Sequence, residues 1–205
     1  MNAPADPATA TATATKGERT RARLTATAAE LLQRQGYHAT GLAQIVEESG
    51  APRGSLYFHF PGGKEELAVA ALHDAGQEWR ARIEAAIDRS PDLGAAVVAV
   101  CALFAEKLAA SDFQLGCPLA TVALEASASS EPVRIACRDH FAGWEASIAA
   151  RLVASGVSAE VAPRLATFSL ATIEGALLLA RVERSPRPLE VVGETLRALL
   201  AMGVR

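Results

Sequence analysis

Aromatic residues make up only 5% of this chain of 205 residues, and the β-branched and aromatic enrichment that strands favour is missing. Ala and Leu dominate instead, and both are strong helix formers. The composition therefore points to an all-α protein. No uncharged apolar run reaches the roughly 20 residues that a membrane helix needs, so no membrane partner is expected. The N-terminus lacks the charged-then-apolar order of a secretory signal, which makes the cytoplasm the expected location. Cysteine is scarce and odd in number: Cys101, Cys117 and Cys137, with no Cys-x-x-Cys spacing. They read as reduced thiols packing as small hydrophobes. Also absent are a Gly-x-Ser-x-Gly elbow, a phosphate-binding loop and a His-Glu-x-x-His pair, so no enzyme is expected. Cys137 and His140 share a helix face, but no second pair joins them to complete a metal site. Neither metal nor cofactor is expected.

The charge that is present is unevenly placed. The formal net charge is −3, yet residues 1–64 hold 7 Lys/Arg against 5 Asp/Glu, while residues 65–205 hold 13 against 18. The positive end of the chain is thus its N-terminal part, where contacts to phosphate would have to come from. The first 15 residues are low in complexity and nearly free of charge and bulk, and read as a flexible tail over residues 1–15.

Beyond the tail, helix signals follow one another. Thr15 and Glu18 form a capping box. Leu24, Ala28, Leu31 and Leu32 fall on one face, and Gly36 suits a left-handed stop. Thr40 is placed to cap a short second helix over Leu42–Ser49, and Gly50-Ala51-Pro52 breaks the chain before a third running from about Arg53 to His59. A long fourth helix should run from Lys64 to about Arg89, with Pro61-Gly62-Gly63 as the obvious joint before it. Ser90-Pro91-Asp92, Gly116-Cys117-Pro118, Ser130-Glu131-Pro132, Ser158 and Pro186-Arg187-Pro188 start five more. The expectation is an all-α chain of about nine helices: a helix-turn-helix unit over residues 16–62, then a helical bundle over residues 63–205.

Two short helices joined by a glycine turn behind a supporting helix are the helix-turn-helix arrangement. Leu42, Ile45, Val46, Leu56 and Phe60 are placed to hold them against Leu24 and Leu31. The third helix then presents Arg53, Ser55, Phe58 and His59 outward. Arg grips guanine edges or phosphate, and Phe packs on a thymine methyl. Gly54 leaves room for close approach, and the Thr40 cap aims free N–H groups at a phosphate. Tyr37 and Phe60 read as core, and Glu65 and Glu66 as carboxylates that suit a helix N-terminus.

The run from Gly36-Tyr37 through Thr40, Ile45-Val46, Gly50 and Gly54-Ser55-Leu56-Tyr57-Phe58-His59-Phe60 resembles the signature of the TetR family of regulators almost throughout. The resemblance implies phosphate contacts at Tyr57, His59 and Lys64. Gly41 and Pro52 depart from it, since the family usually has Ser or Thr at both positions. Phe60–Leu67, Leu115–Leu119 and Ile173–Arg181 further resemble the LmrA/YxaF-type branch, so the likeness spans most of residues 16–203. It implies a repressor of double-stranded DNA that forms a homodimer and answers a small, apolar or aromatic effector. The bulky residues expected to line an effector pocket are Trp79, Phe104, Phe113, Trp144 and Phe168, with Cys117 and Thr172 as polar or soft contacts. The last two helices carry more apolar surface than water tolerates. Ile173, Gly175, Ala176, Leu177, Ala180, Leu196, Leu199 and Leu200 are the expected dimer interface.

Overall fold

Thr15 opens the first helix with a reciprocal cap: its Oγ1 accepts from the Glu18 N–H (3.2 Å), and the Glu18 carboxylate accepts from the Thr15 N–H (2.6 Å). The computed structural model describes residues 15–202. The tail expected over residues 1–15 lies outside the described residues except for this cap. Among the described residues there are nine helices and no strand.

The N-terminal three are α1 (Lys16–Ala39), α2 (Leu42–Ser49) and α3 (Ser55–His59). Then come α4 (Gly63–Asp88), α5 (Leu93–Ala110), α6 (Pro118–Ala126), α7 (Glu131–Ala154), α8 (Ala162–Glu183) and α9 (Arg187–Ala201). α1 lies against α2, α3, α4 and α6, while α5 runs along α9, and α7 packs on α4 and α8. One continuous core runs from Leu24 and Leu31 in α1, through Phe60, Leu67 and Leu72, to Phe104, Leu119, Trp144 and Leu196.

Several starts differ from the sequence expectation. Ser90-Pro91 stays outside α5, whose cap is Asp92, accepting from the Ala95 N–H at 2.7 Å. α8 begins at Ala162, because the Ser158 hydroxyl accepts from the Val161 N–H in a separate turn just before it. Gly36 adopts φ 84° and ψ 178°, which breaks the hydrogen-bond register of α1, but helical structure resumes up to Ala39. A Cβ on Gly36 would also meet the carboxylate end of the flexible Glu125 side chain in α6, which would have to move aside, so it is the φ that favours glycine. By length and composition alone, α5 and α8 would also pass as membrane-crossing helices, which the search for uncharged runs overlooks. Both pack into the bundle on other helices.

The α4–α7 contact is tight. The His140 ring sits where a Cβ on Gly76 would be, with the His73 ring centroid 5.4 Å away. Burial lowers the His140 pKa from the ordinary 6.5, the charge of His73 pushes it further down, Asp139 opposes, and Arg80 adds a smaller downward push. A depressed histidine contributes stability that is present above its unfolded pKa and is lost as pH falls through the folded one. Thermal unfolding should therefore show a falling melting temperature as pH drops from about 7.5 to about 5.5, around the histidine range. His140→Gln should flatten that slope. An unchanged slope in the variant would mean that other groups carry it.

Candidate functional site

Ile45, Leu56 and Phe60 are buried in the α1–α3 junction, and Leu42 and Val46 pack against it partly exposed. What the packing leaves outside is a compact face on α3 and the turn before it. Phe58 is 81% and Tyr57 64% exposed. A five-residue helix that buries one side chain and holds two aromatic rings in water gains nothing in folding from those rings. Arg53 is exposed and makes no hydrogen bond or ion pair among the described residues, which leaves its guanidinium facing outward. Gly54 has an ordinary φ of −82°, and a Cβ there would meet nothing within 4 Å. The chain itself does not require glycine at this position, which leaves it open for an outside partner. Ser55 donates its hydroxyl to the Pro52 carbonyl (2.7 Å) and so helps to start α3. His59 lies edge-on to Phe58, with centroids 5.0 Å apart, and is partly buried.

Two expected phosphate contacts are otherwise engaged. Thr40 is completely buried (0% exposed) and donates to the Gly36 carbonyl at 2.7 Å, closing the irregular turn that Gly36 makes. It does not cap α2; Gly41 stands at that position, with no side-chain cap. The first turn of α2 therefore has free backbone N–H groups but no hydroxyl beside them. The ammonium group of Lys64 sits 4.6 Å over the Tyr37 ring and donates to the His38 carbonyl (3.4 Å). Burial lowers its pKa, with Glu125 opposing. Lys64 thus braces the end of α1 as it enters the turn.

A separate cavity of about 140 Å³ lies between α4, α5, α7, α8 and α9. Phe104, Trp144 and Phe168 line it, as expected from the sequence, together with Ile83, Val97, Val100, Leu165 and Leu170. Four expected pocket residues do not line it. Trp79 stacks behind Phe104 (centroids 4.6 Å apart, planes 10° apart), so it backs the wall without forming it. Phe113 takes a left-handed φ of 61° and closes the turn after α5, its N–H donating to Leu108. Thr172 turns its hydroxyl onto the Phe168 carbonyl, 2.6 Å away. Cys117 is buried at the start of α6, with Glu174 between it and the cavity's ligand space.

The expected dimer residues are also redistributed. Ile173, Ala176, Leu177, Ala180 and Leu196 are buried within the chain, and Ile173, Leu196, Leu199 and Leu200 line the cavity. The buried and exposed stripes of α8 sit one residue apart, and sequence alone did not assign them to a side. Gly175 and Leu199 stay exposed. Beside them the outer face carries Phe168, Leu178, Leu179 and Val182 on α8, with Val191 and Met202 on α9.

Between face and cavity run contacts that periodicity did not suggest. Gln33 of α1 donates to the carbonyl of Gly116, next to Cys117. At the other end of α6, the Glu125 carboxylate accepts from the His38 N–H at 2.9 Å. Ser130 donates to Glu65 of α4 (2.6 Å), and Arg181 of α8 donates to the Arg34 carbonyl (3.3 Å). A polar residue spaced for the buried face of α1, as Gln33 is, was the available signal for the first of these. The three cysteines are free and buried, which pushes the thiols of Cys101 and Cys137 up to about 11 and that of Cys117 well above its usual range. They are poor nucleophiles.

Comparison with known proteins agrees with this geometry. Residues 24–71 match the family described as bacterial regulatory proteins, tetR family, and residues 94–195 match the transcriptional regulator LmrA/YxaF-like C-terminal domain. The chain is 39% identical over 174 residues to the HTH-type transcriptional regulator YxaF of Bacillus subtilis, covering 85% of this chain and 91% of that one. It is 34% identical to LmrA of the same organism, over 86% of this chain and 94% of the other. Among solved structures, a TetR transcriptional regulator from Chloroflexus aurantiacus superposes with a TM-score of 0.77 at 31% identity, covering 91% of this chain and 96% of that one. With an exposed aromatic and arginine face on a supported short helix, and relatives that match both halves, the chain belongs to the TetR family of DNA-binding transcriptional regulators, in its LmrA/YxaF-like branch.

Proposed function

We propose that this chain is a cytoplasmic repressor that binds a palindromic operator as a homodimer and is released by a small apolar effector. In this reading residues 16–62 meet DNA and residues 63–205 hold the effector and the partner subunit. The observation that carries it is the set Arg53, Gly54, Tyr57 and Phe58, all exposed on α3 and the turn before it. In this reading Tyr57, His59 and Ser55 meet the phosphate backbone, while Arg53 and Phe58 read base edges. The dimer reading rests on the exposed apolar face of α8 and α9, centred on Gly175, Leu178, Leu179, Val182, Val191 and Leu199. Pairing that face with its copy gives a closed two-fold interface. The effector reading rests on the mostly apolar cavity between α4, α5, α7, α8 and α9.

Effector and operator would be coupled along two routes. One is α4, which starts next to the DNA face and carries Ile83, Glu84 and Ile87 in the cavity wall. The other is α6, held to α1 through Gln33–Gly116 and Glu125–His38. A shift of either changes the separation of the two recognition helices, which must match half-sites about 34 Å apart.

Titration against duplex from the chain's own upstream region should give a complex that weakens steeply with salt, because Arg and Lys displace counterions from phosphate. Arg53→Ala should lose about 1–3 kcal/mol on the specific site and leave unfolding unchanged. A complex indifferent to salt, or equal affinity of variant and parent on specific and random duplex alike, would remove this face from DNA recognition.

Linkage also requires that an effector lower operator affinity by the same factor as operator lowers effector affinity. Measuring a cavity-binding compound with and without saturating operator tests this. Equal affinity in the two titrations would sever the proposed coupling.

A further inference from the structure

The cavity wall is not uniformly apolar, and one of the exceptions is left without a counter-charge. Four ionisable side chains line it: Arg80, Glu84, Arg151 and Glu174. Arg80 pairs with Glu84 at 2.8 Å, and Arg151 with Asp88 at 3.0 Å. Glu174 has no cationic partner among the described residues. The Cys117 thiol lies beside it, held neutral by its own burial. Glu174 lies at the middle of α8, one residue from Ile173 on the cavity wall, and burial raises its carboxyl above the ordinary range. A second group also lacks a partner. Trp144 is 7% exposed and lines the same cavity, and its Nε1–H is the buried side-chain donor without an acceptor among the described residues. An unpaired carboxylate in an apolar chamber suits a ligand with a cationic end, because it gains a counter-charge only when the ligand supplies one; the Trp144 N–H needs an acceptor, which an ammonium group lacks, and does not bear on the sign of the charge.

From these observations we infer that the effector is a hydrophobic amine: an apolar body of about one aromatic ring, whose ammonium group pairs with Glu174. The size follows from the volume. A cavity of about 140 Å³ compares with the roughly 150 Å³ apolar cavity known to admit one benzene. The sign of the charge follows from the pairing, since both arginines at the cavity already hold carboxylates. An anionic ligand would have to displace one of these or face Glu174 directly. The inference rests on reading this cavity as the effector site.

The test uses the full chain and three probes of matched shape: 2-phenylethylamine, 2-phenylethanol and 3-phenylpropanoate. Binding is read by tryptophan fluorescence, since Trp144 is in the wall, and by calorimetry near neutral pH. The amine should bind about tenfold or more tightly than the alcohol, as expected for a charge-assisted contact, and the acid more weakly than either. Glu174→Gln should abolish the preference for the amine over the alcohol, and Glu174→Asp, which keeps the carboxylate, should retain part of it. Equal binding of amine and alcohol, tightest binding of the acid, or an amine preference that survives in Glu174→Gln would each overturn the inference while leaving the cavity a ligand site. If none of the three probes binds, the inference and the effector reading of the cavity both fall. If the amine binds through Glu174 but operator affinity does not respond, the ligand class stands and the regulatory reading falls.

Discussion

The structure depends on α1 serving two sets of neighbours at once. It packs on α2 and α3, which turn the DNA face outward, and on α4 and α6, which belong to the bundle around the cavity. Leu24, Ala28, Leu31 and Leu32 are all buried in a single core that continues without interruption to Trp144 and Leu196. Two helices as short as α2 and α3 bury too little apolar surface to be stable by themselves. Their orientation is therefore set by α1, and α1 is set by the bundle. The recognition face is rigid because its support lies elsewhere in the chain.

That arrangement gives the polar contacts around α6 their meaning. An α1 held only by hydrophobic packing could slide, because dispersion and burial are not directional. The Gln33–Gly116 and His38–Glu125 hydrogen bonds fix its register, and the missing side chain at Gly36 leaves room for the Glu125 carboxylate beside it. The first of these bonds ends one residue from Cys117, whose thiol neighbours Glu174 in the cavity wall. The cavity wall is thus joined by a short covalent and hydrogen-bonded path to α1, which supports the DNA face on α3.

Much of this was legible in the sequence for physical reasons. Capping residues, prolines at helix starts and the 3.6-residue period placed all nine described helices, because those signals are local. Arg53, Tyr57 and Phe58 were legible as outward-facing, because a five-residue helix has little choice of buried face once Leu56 is inside. Thr40 misled, because Thr before a helix is a good cap, and only the positive φ at Gly36 draws its hydroxyl backwards. The sides of α8 were beyond reach, since that helix is apolar nearly all round and its hydrophobic pattern marks no side. Glu174 passed unnoticed within the apolar run Ile173–Ala180, although a lone carboxylate in such a run was the signal. The contacts of Gln33 and Glu125 join residues 83 and 87 positions apart, a distance at which no periodicity speaks.

The central claim is that the DNA face and the bundle around the cavity share one core through α1. Native-state hydrogen exchange on the ligand-free protein tests it most directly. The account predicts that the buried amides of α1 from Leu24 to Leu32 open with the same free energy as those of α4 and α6, in one cooperative unit. If α1, α2 and α3 instead exchange together through a low-energy opening while α4 to α9 stay protected, the N-terminal helices are an independent unit and the shared core does not hold them.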